Sequence, residues 1–343
     1  MTKINRILLV VALALCALSA YSYYDSVRRA ERFERGQKFL QNLNPDSIAE
    51  ILIEKGEDSV HLRRDGERFV VVDAGGYPAK NESVNRFVRD ALELSLEQEV
   101  GSGESLSEEL ELVSGGENTT EVTFKDSNQK AMVHFLVGKS LDSGGGNYIR
   151  RVDSQDDAVY LTSSRVYLST GQDDFLDKEI LDVDSDQIAA IRGPGFLIED
   201  REGSLKLADL PAGKKESNKV SQLKNLLSGL RFTKHHLADA PEVEGLDFDS
   251  MVEIDLKDES GYQVAVAGKD DKHYLQIQGY HNAGQLSIAV DADEEESRQV
   301  ADKLKRQNEI QDFNAFHGSW IYEVTETTAD KVRVAAKDLV EDA

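Results

Sequence analysis

The chain holds a single cysteine, Cys16, among 343 residues. One thiol excludes an internal disulfide and a thiolate metal site. Positive charge is also scarce: 40 Lys and Arg stand against 64 Asp and Glu, a formal net charge of −24. Phosphate backbones repel such a chain, which argues against a nucleic-acid role. Aromatic residues are few at 7%, yet 40% of the chain is apolar, enough for two folded units with a core each.

Motifs that carry chemistry are equally sparse. Gly138-Lys139-Ser140 invites a phosphate-loop reading, but Val133 stands where that loop needs its first Gly, and a strand-end turn is the better expectation. Asp182-Val183-Asp184-Ser185-Asp186 alternates carboxylates like a calcium loop. Gln187 replaces the turn Gly and Gly193 the bidentate Glu, so a solvated linker is expected. The seven histidines lack ligand spacing: His235 and His236 are adjacent and would face opposite sides of a strand. His134 reads as a partly buried packing residue beside Met132 and Leu136. His273 and His281 flank Tyr274 and Tyr280, a candidate ligand rim. No nucleophile elbow is present, and the acidic run Glu104 to Glu117 reads as a solvated loop. Asp291 to Glu296 should open a helix, where negative charge is favourable. No catalytic, cofactor-binding or metal-ligating residue is nominated, and the chain reads as a non-enzyme.

The longest apolar run is Ile7 to Tyr24, 18 residues without a charge, behind Lys3 and Arg6. As a helix it spans about 27 Å, enough to cross a bilayer core. Tyr21, Tyr23 and Tyr24 cluster at one end, where aromatic rings sit at headgroup level. The reading is an uncleaved single-pass anchor over residues 1–24. The rival is a signal peptide cleaved between Ser19 and Ala20, where Ala17 and Ser19 are small. A lipoprotein signal through Leu13-Ala14-Leu15-Cys16 has a large Leu where a small residue belongs, so Cys16 reads as a membrane residue. Residues 25–44, with Arg28, Arg29, Arg32, Arg35 and Lys38, read as a polar juxtamembrane helix. Counting those bases would place the body in the cytoplasm. Against that count stands the habit of short amino-terminal tails to remain inside, which puts the body in the periplasm.

The remainder looks like one unit written twice. Ile48-Ala49-Glu50-Ile51 returns as Ile188-Ala189-Ala190-Ile191, and Lys80-Asn81-Glu82-Ser83 as Lys214-Lys215-Glu216-Ser217. Glu121 to Asp126 matches Glu253 to Asp258, Val137-Gly138-Lys139 matches Ala267-Gly268-Lys269, and Tyr148-Ile149 matches Tyr274-Leu275. The offsets are 140, 134, 132, 130 and 126, always falling. Within the first copy, Val60, Leu62, Phe69 and Val71 alternate around Asp65-Gly66, a hairpin signal. Val84, Phe87, Val88, Ala91 and Leu92 form a helical stripe, answered by Val220, Leu223, Leu226, Leu227 and Leu230. Asn or Ser just upstream should cap each helix. The expected class is α+β, antiparallel strands with helices gathered on one face. The expected boundaries are a first repeat over 45–182, a second over 183–312, and a terminal strand and short helix over 313–343.

With these elements placed, the sequence resembles the domain of unknown function DUF4340. The resemblance rests on the opening strand Ile48 to Glu54, the Asp65-Gly66 hairpin and Tyr77-Pro78-Ala79. Val137-Gly138-Lys139, Tyr148-Ile149-Arg150, Val159-Tyr160-Leu161 and Phe175 to Leu181 add to it. It covers about 45 to 191 well and the second copy loosely. Phe69 stands where the family often has Trp. The family's Gly-Leu-Asp survives as Gly245-Leu246-Asp247, with only Leu112 left of it in the first copy. The resemblance implies an amino-terminal anchor and an extracytoplasmic body. It further implies an accessory role beside an ABC transporter of the gliding-motility type, with no catalytic residue assigned. A ligand-binding envelope protein with a site between the repeats is the alternative.

Overall fold

The computed structural model describes residues 11–21, 23, 33–41, 43–142, 144–154, 157–282 and 294–343. The fold is mixed α+β, built on antiparallel sheets, and it divides into two compact units, Met1–Asp177 and Lys178–Ala343. The division falls a few residues before the expected boundary at 182/183. The strand and helix expected to stand apart over 313–343 belong to the second unit.

The first unit carries nine strands: β1 (Glu50–Lys55), β2 (Asp58–Asp65), β3 (Arg68–Val71), β4 (Tyr77–Pro78), β5 (Leu96–Ser102), β6 (Thr120–Lys125), β7 (Ala131–Ser140), β8 (Asn147–Arg151) and β9 (Ala158–Thr162). They lie in the order β4-β3-β2-β1-β6-β7-β8-β9-β5. Alternation decides the faces: Ile51 and Ile53 of β1, Val60 and Leu62 of β2, and Val122 and Phe124 of β6 all point inward and are buried. The β2–β3 hairpin closes at Asp65 opposite Arg68, with Gly66 at φ +60°, as its sequence signal implies. Helix α2 (Asn81–Glu93) buries Val84, Phe87 and Ala91 on this face. Lys80 precedes it without a side-chain cap, so the expected cap is absent here. Phe87 sits 6.3 Å from Phe124 and 5.7 Å from Phe175.

Residues 33–41 differ from the expected juxtamembrane helix; 25–32 and 42 lie outside the described residues. Lys38 bridges to Ser95, Gly36 N donates to Leu96 O, and Phe39 N donates to Leu94 O. Phe39 and Leu40 are buried, with the Phe39 ring 5.7 Å from Phe135. Two adjacent apolar side chains and a free strand edge outweigh the helical leaning of a charged stretch.

The amino-terminal helix α1 is described over residues 11–21. Residues 7–10, 22 and 24 of the expected span lie outside the described residues. Among the described residues no helix is long and apolar enough to cross a membrane.

The second unit has its own main sheet: β11 (Ile188–Gly193), β12 (Phe196–Arg201), β13 (Ser204–Leu207), β16 (Lys234–Leu237), β17 (Ser250–Leu256), β18 (Ser260–Lys269), β19 (Lys272–His281) and β20 (Trp320–Val324). Two short pairs flank it, β10 (Glu179–Leu181) with β15 (Leu230–Arg231), and β14 (Lys214–Glu216) with β21 (Val340–Asp342). Its order, β13-β12-β11-β17-β18-β19-β20-β16, answers the first sheet strand for strand once the short β4 is set aside. In both units the helix follows the third strand and leads to the strand at the far edge. Helix α4 (Asn218–Lys224) is capped by Ser217, whose hydroxyl accepts from Lys219 N, and stops early. Gly229 at φ +58° turns the chain, so Leu230 enters β15 instead of continuing the stripe.

The units differ most between their last two consecutive strands. A short connection joins β8 to β9, whereas the second unit inserts α5 (Glu294–His317) between β19 and β20. Three glutamates lie in its first described turn, as the acidic run implies. β20 covers only His273–Leu275 of β19, leaving the rest of that edge open. Asn314 takes over there: its Oδ1 accepts from Gly279 N and its Nδ2 donates to Gly279 O, both at 2.7 Å. Gly279 makes room for this contact: a Cβ there would lie 3.1 Å from Ile310 Cδ1, which would have to give by a few tenths of an ångström. Arg306 of α5 donates to the buried Ser260 Oγ at 3.1 Å and pairs with Asp258 at 2.9 Å. Burial alone would raise the Asp258 carboxyl, but hydrogen bonds from Ser260 and the Arg306 charge hold it below the usual range.

Candidate functional site

Each sheet carries a second, smaller apolar cluster on the face away from its main helix. In the first unit Leu110, Leu112, Leu136 and Val159 form it; in the second, Val243, Ala267, Tyr274 and Ile321 do. The acidic run expected as a solvated loop is in part this cover. Helix α3 (Glu104–Glu109) exposes Glu108 and Glu109, while Leu106 and Leu110 beside them pack inward. In the second unit the turn Pro241–Val243 and the family's Gly245-Leu246-Asp247 lie in the same connection.

The repeated Gly-Lys pair holds these covers in place. Gly138 and Lys139 lie inside β7, which continues to Ser140, so the expected strand-end turn is absent. Lys139 Nζ donates to Glu109 O at 2.6 Å, and Lys139 N to Leu110 O at 3.1 Å. Lys269 Nζ does likewise, reaching Glu242 O at 3.3 Å and Glu244 O at 3.1 Å. An ammonium satisfying carbonyls at the end of a helical turn is a structural clamp, not a phosphate loop. A Cβ at Gly138 would lie 2.2 Å from Leu110 O, a backbone atom, whereas at Gly268 the nearest atom is a side-chain nitrogen of Arg333 at 3.1 Å, which need give only a few tenths of an ångström. Gly138→Ala is therefore expected to cost about 1–3 kcal/mol, and Gly268→Ala less than about 1 kcal/mol. Urea midpoints of the two variants check this; equal losses would contradict it.

The histidines form no common site. His235 stacks its edge on Trp320 at 5.0 Å, and His236 faces the other way, near Tyr274 at 6.0 Å. His134 is partly buried and faces Glu121 Oε1 at 2.5 Å. His273 and His281 lie at opposite ends of the ten-residue β19, about 27 Å apart, so they share no rim with both tyrosines. Asp182 of the calcium-like run accepts from Gly229 N at 2.8 Å, a turn contact. Among the described residues no group of three His, Cys, Asp or Glu could hold a metal ion.

Two constellations leave no signal in the sequence. On the second sheet's outer face Asp255, nearly buried, accepts from Tyr280 Oη at 2.8 Å and pairs with Arg192 at 2.5 Å. Burial, then the Asp255 carboxylate, pushes the Tyr280 phenol well above its ordinary value, so Tyr280 is a fixed donor, not a base. These residues come from β11, β17 and β19, and only strand pairing brings them together. In the first unit a groove of about 360 Å³ runs between α2 and the β2–β3 hairpin, walled by Ile48, Phe69, Val84, Val88 and Leu92. The Arg64 guanidinium lies 4.7 Å above the Phe69 ring, and its Nε donates to Ile48 O at 3.2 Å. Phe69 thus supplies the aromatic face at the hairpin. Neither constellation holds a nucleophile beside a base.

Two consecutive antiparallel α+β units of matched strand order, each with a lysine-clamped cover on its sheet, define the class of protein. The chain belongs to the DUF4340 family, described as a domain of unknown function, whose model matches residues 70–249. That match begins at β3 and ends just before β17, so it runs from the first unit into the second. No curated protein and no solved structure matches the chain.

Proposed function

We propose that this protein is a non-catalytic accessory scaffold, tethered to the inner (cytoplasmic) membrane by Ile7 to Tyr24 with its body in the periplasm. There it serves an ABC transporter of the gliding-motility type, contacting the extracytoplasmic domain of a membrane subunit. The observation that carries the tether is the exposure of α1: Val11, Leu13, Leu15, Leu18 and Tyr21 are all uncovered in the described residues. An apolar helix of this kind needs a lipid or protein cover. Bases are outnumbered 40 to 64 along the chain, so anionic headgroups hold the body away from the lipid surface. Family membership supports the transporter link by association alone.

The tandem duplication of one ancestral unit belongs to the same reading, and the matched strand orders support it. The test is affinity purification of the tagged full chain from membranes in mild detergent. Transporter subunits are expected to co-elute in fixed ratio. A purified complex that retains the tether but leaves every transporter subunit behind sinks the proposal.

A further inference from the structure

We propose that the second unit carries a binding site for an oxyanion of the phosphate class, in a pocket between α4 and α6 (Glu326–Val332). The pocket has a volume of about 420 Å³, within the range of small-molecule sites. Five side chains on its walls can donate: Lys219, Lys331, Arg333, Gln222 and Thr327. Asp330 is the one carboxylate among the lining residues, so the lining carries a formal charge of +2 in a chain whose total is −24. Chance placement in so acidic a chain would favour the opposite sign.

The cations outnumber the carboxylates that could neutralise them. Lys331 is partly buried and has no ion-pair partner among the described residues. Lys219 reaches only Asp338 Oδ2 at 3.8 Å, a half-exposed pair worth little. Arg333 Nη1 lies 3.2 Å from His273 Nδ1, a contact with a ring nitrogen and not with a carboxylate. Space for its guanidinium is kept by Gly268, where a Cβ would approach Arg333 Nη2 to 3.1 Å. A planar fork so positioned, with an ammonium two residues earlier, suits a phosphate oxygen pair. With three cations against one carboxylate, the lining keeps donors to spare, and an anion from outside would complete it.

This inference goes beyond the tethering role and does not depend on it. Its test is calorimetric titration of the detergent-solubilised full chain with pyrophosphate, and separately with glycerophosphoglycerol as a soluble lipid-headgroup phosphodiester. Saturable binding is expected, weakened about tenfold or more by Lys331→Gln and by Arg333→Gln, and unchanged by Lys206→Gln on β13. Tighter binding of the phosphodiester assigns the site to a lipid headgroup; tighter binding of pyrophosphate assigns it to a free phosphate. Arg333→Gln also removes the His273 contact, so Lys331→Gln, at a partly exposed helical position, carries the decision if the former melts early. No heat from either anion up to about 10 mM, or equal binding by wild type and Lys331→Gln, overturns the proposal.

Discussion

Phe39→Ala in the full chain is expected to destabilise the first unit by about 3–5 kcal/mol, the cost of emptying a core aromatic site. Residue 39 lies just beyond a stretch dense in Arg and Glu, where a substitution would ordinarily be neutral. Yet Phe39 is only 6% exposed, edge-on to Phe135 at 5.7 Å and near Tyr160 at 6.5 Å. It extends an aromatic series that continues through Phe135, Phe124 and Phe87 to Phe175. The backbone beside it is tied as well, since Leu96 N donates to Gln37 O at 2.9 Å. Urea unfolding followed by circular dichroism gives the stability loss, and hydrogen exchange gives its location. The Leu96 amide should lose protection first. A loss under about 1 kcal/mol, the size of a surface change, would mean that residues 33–41 are a loose leader after all.

Between about pH 6.5 and 4, before its carboxylates protonate, acid should weaken the second unit through His317. Its side chain is 7% exposed, lies against the rings of Phe313 at 4.1 Å and Phe316 at 4.8 Å, and meets Tyr322 Oη through Nδ1 at 2.6 Å. Burial pushes its pKa down from 6.5 to about 4. The folded imidazole therefore stays neutral while the unfolded one takes a proton, and stability falls as pH drops from about 6.5 toward 4. Above that window the contribution is fully present; below it roughly 3 kcal/mol is lost, from 1.36 kcal/mol per pKa unit. His317→Gln retains an acceptor for Tyr322 but cannot titrate. Its stability is expected to vary less with pH, the gap to wild type narrowing by roughly that amount between pH 6.5 and 4. Parallel curves for the two proteins would show that His317 is not the responsible group.

How far each element was legible depended on what kind of signal it left. The β2–β3 hairpin and the buried face of α2 follow from period-two and period-3.6 spacing, and both stand where those periods place them. The two sheets share a strand order, but one of the sequence matches between the units is out of step with the strand register. Sequence likeness pairs Glu121 to Asp126 with Glu253 to Asp258, an offset of 132. Strand register instead sets Ile51 opposite Phe124 and Ile191 opposite Ile254, an offset of 130 for that strand. The likeness follows the turn, where Asp126 Oδ1 accepts from Asn128 N and Asp258 Oδ1 from Ser260 N. A slip of two residues preserves the face of every side chain, so the hydrophobic pattern could not detect it.

The pocket between α4 and α6 was invisible for a different reason. Lys219 and Arg333 stand more than a hundred residues apart, and neither belongs to a motif. The Asp255, Tyr280 and Arg192 cluster is likewise assembled by strand pairing.

From the residues alone came the α+β class, the helical stripes and the acidic character, since each is a local period or a sum along the chain. Tertiary structure decided that residues 36–39 pair at the sheet's edge, that Gly138-Lys139 and Gly268-Lys269 clamp the covers, and that three cations share one pocket. Those outcomes depend on which distant backbones and charges meet, and a distance in space leaves no period in a sequence.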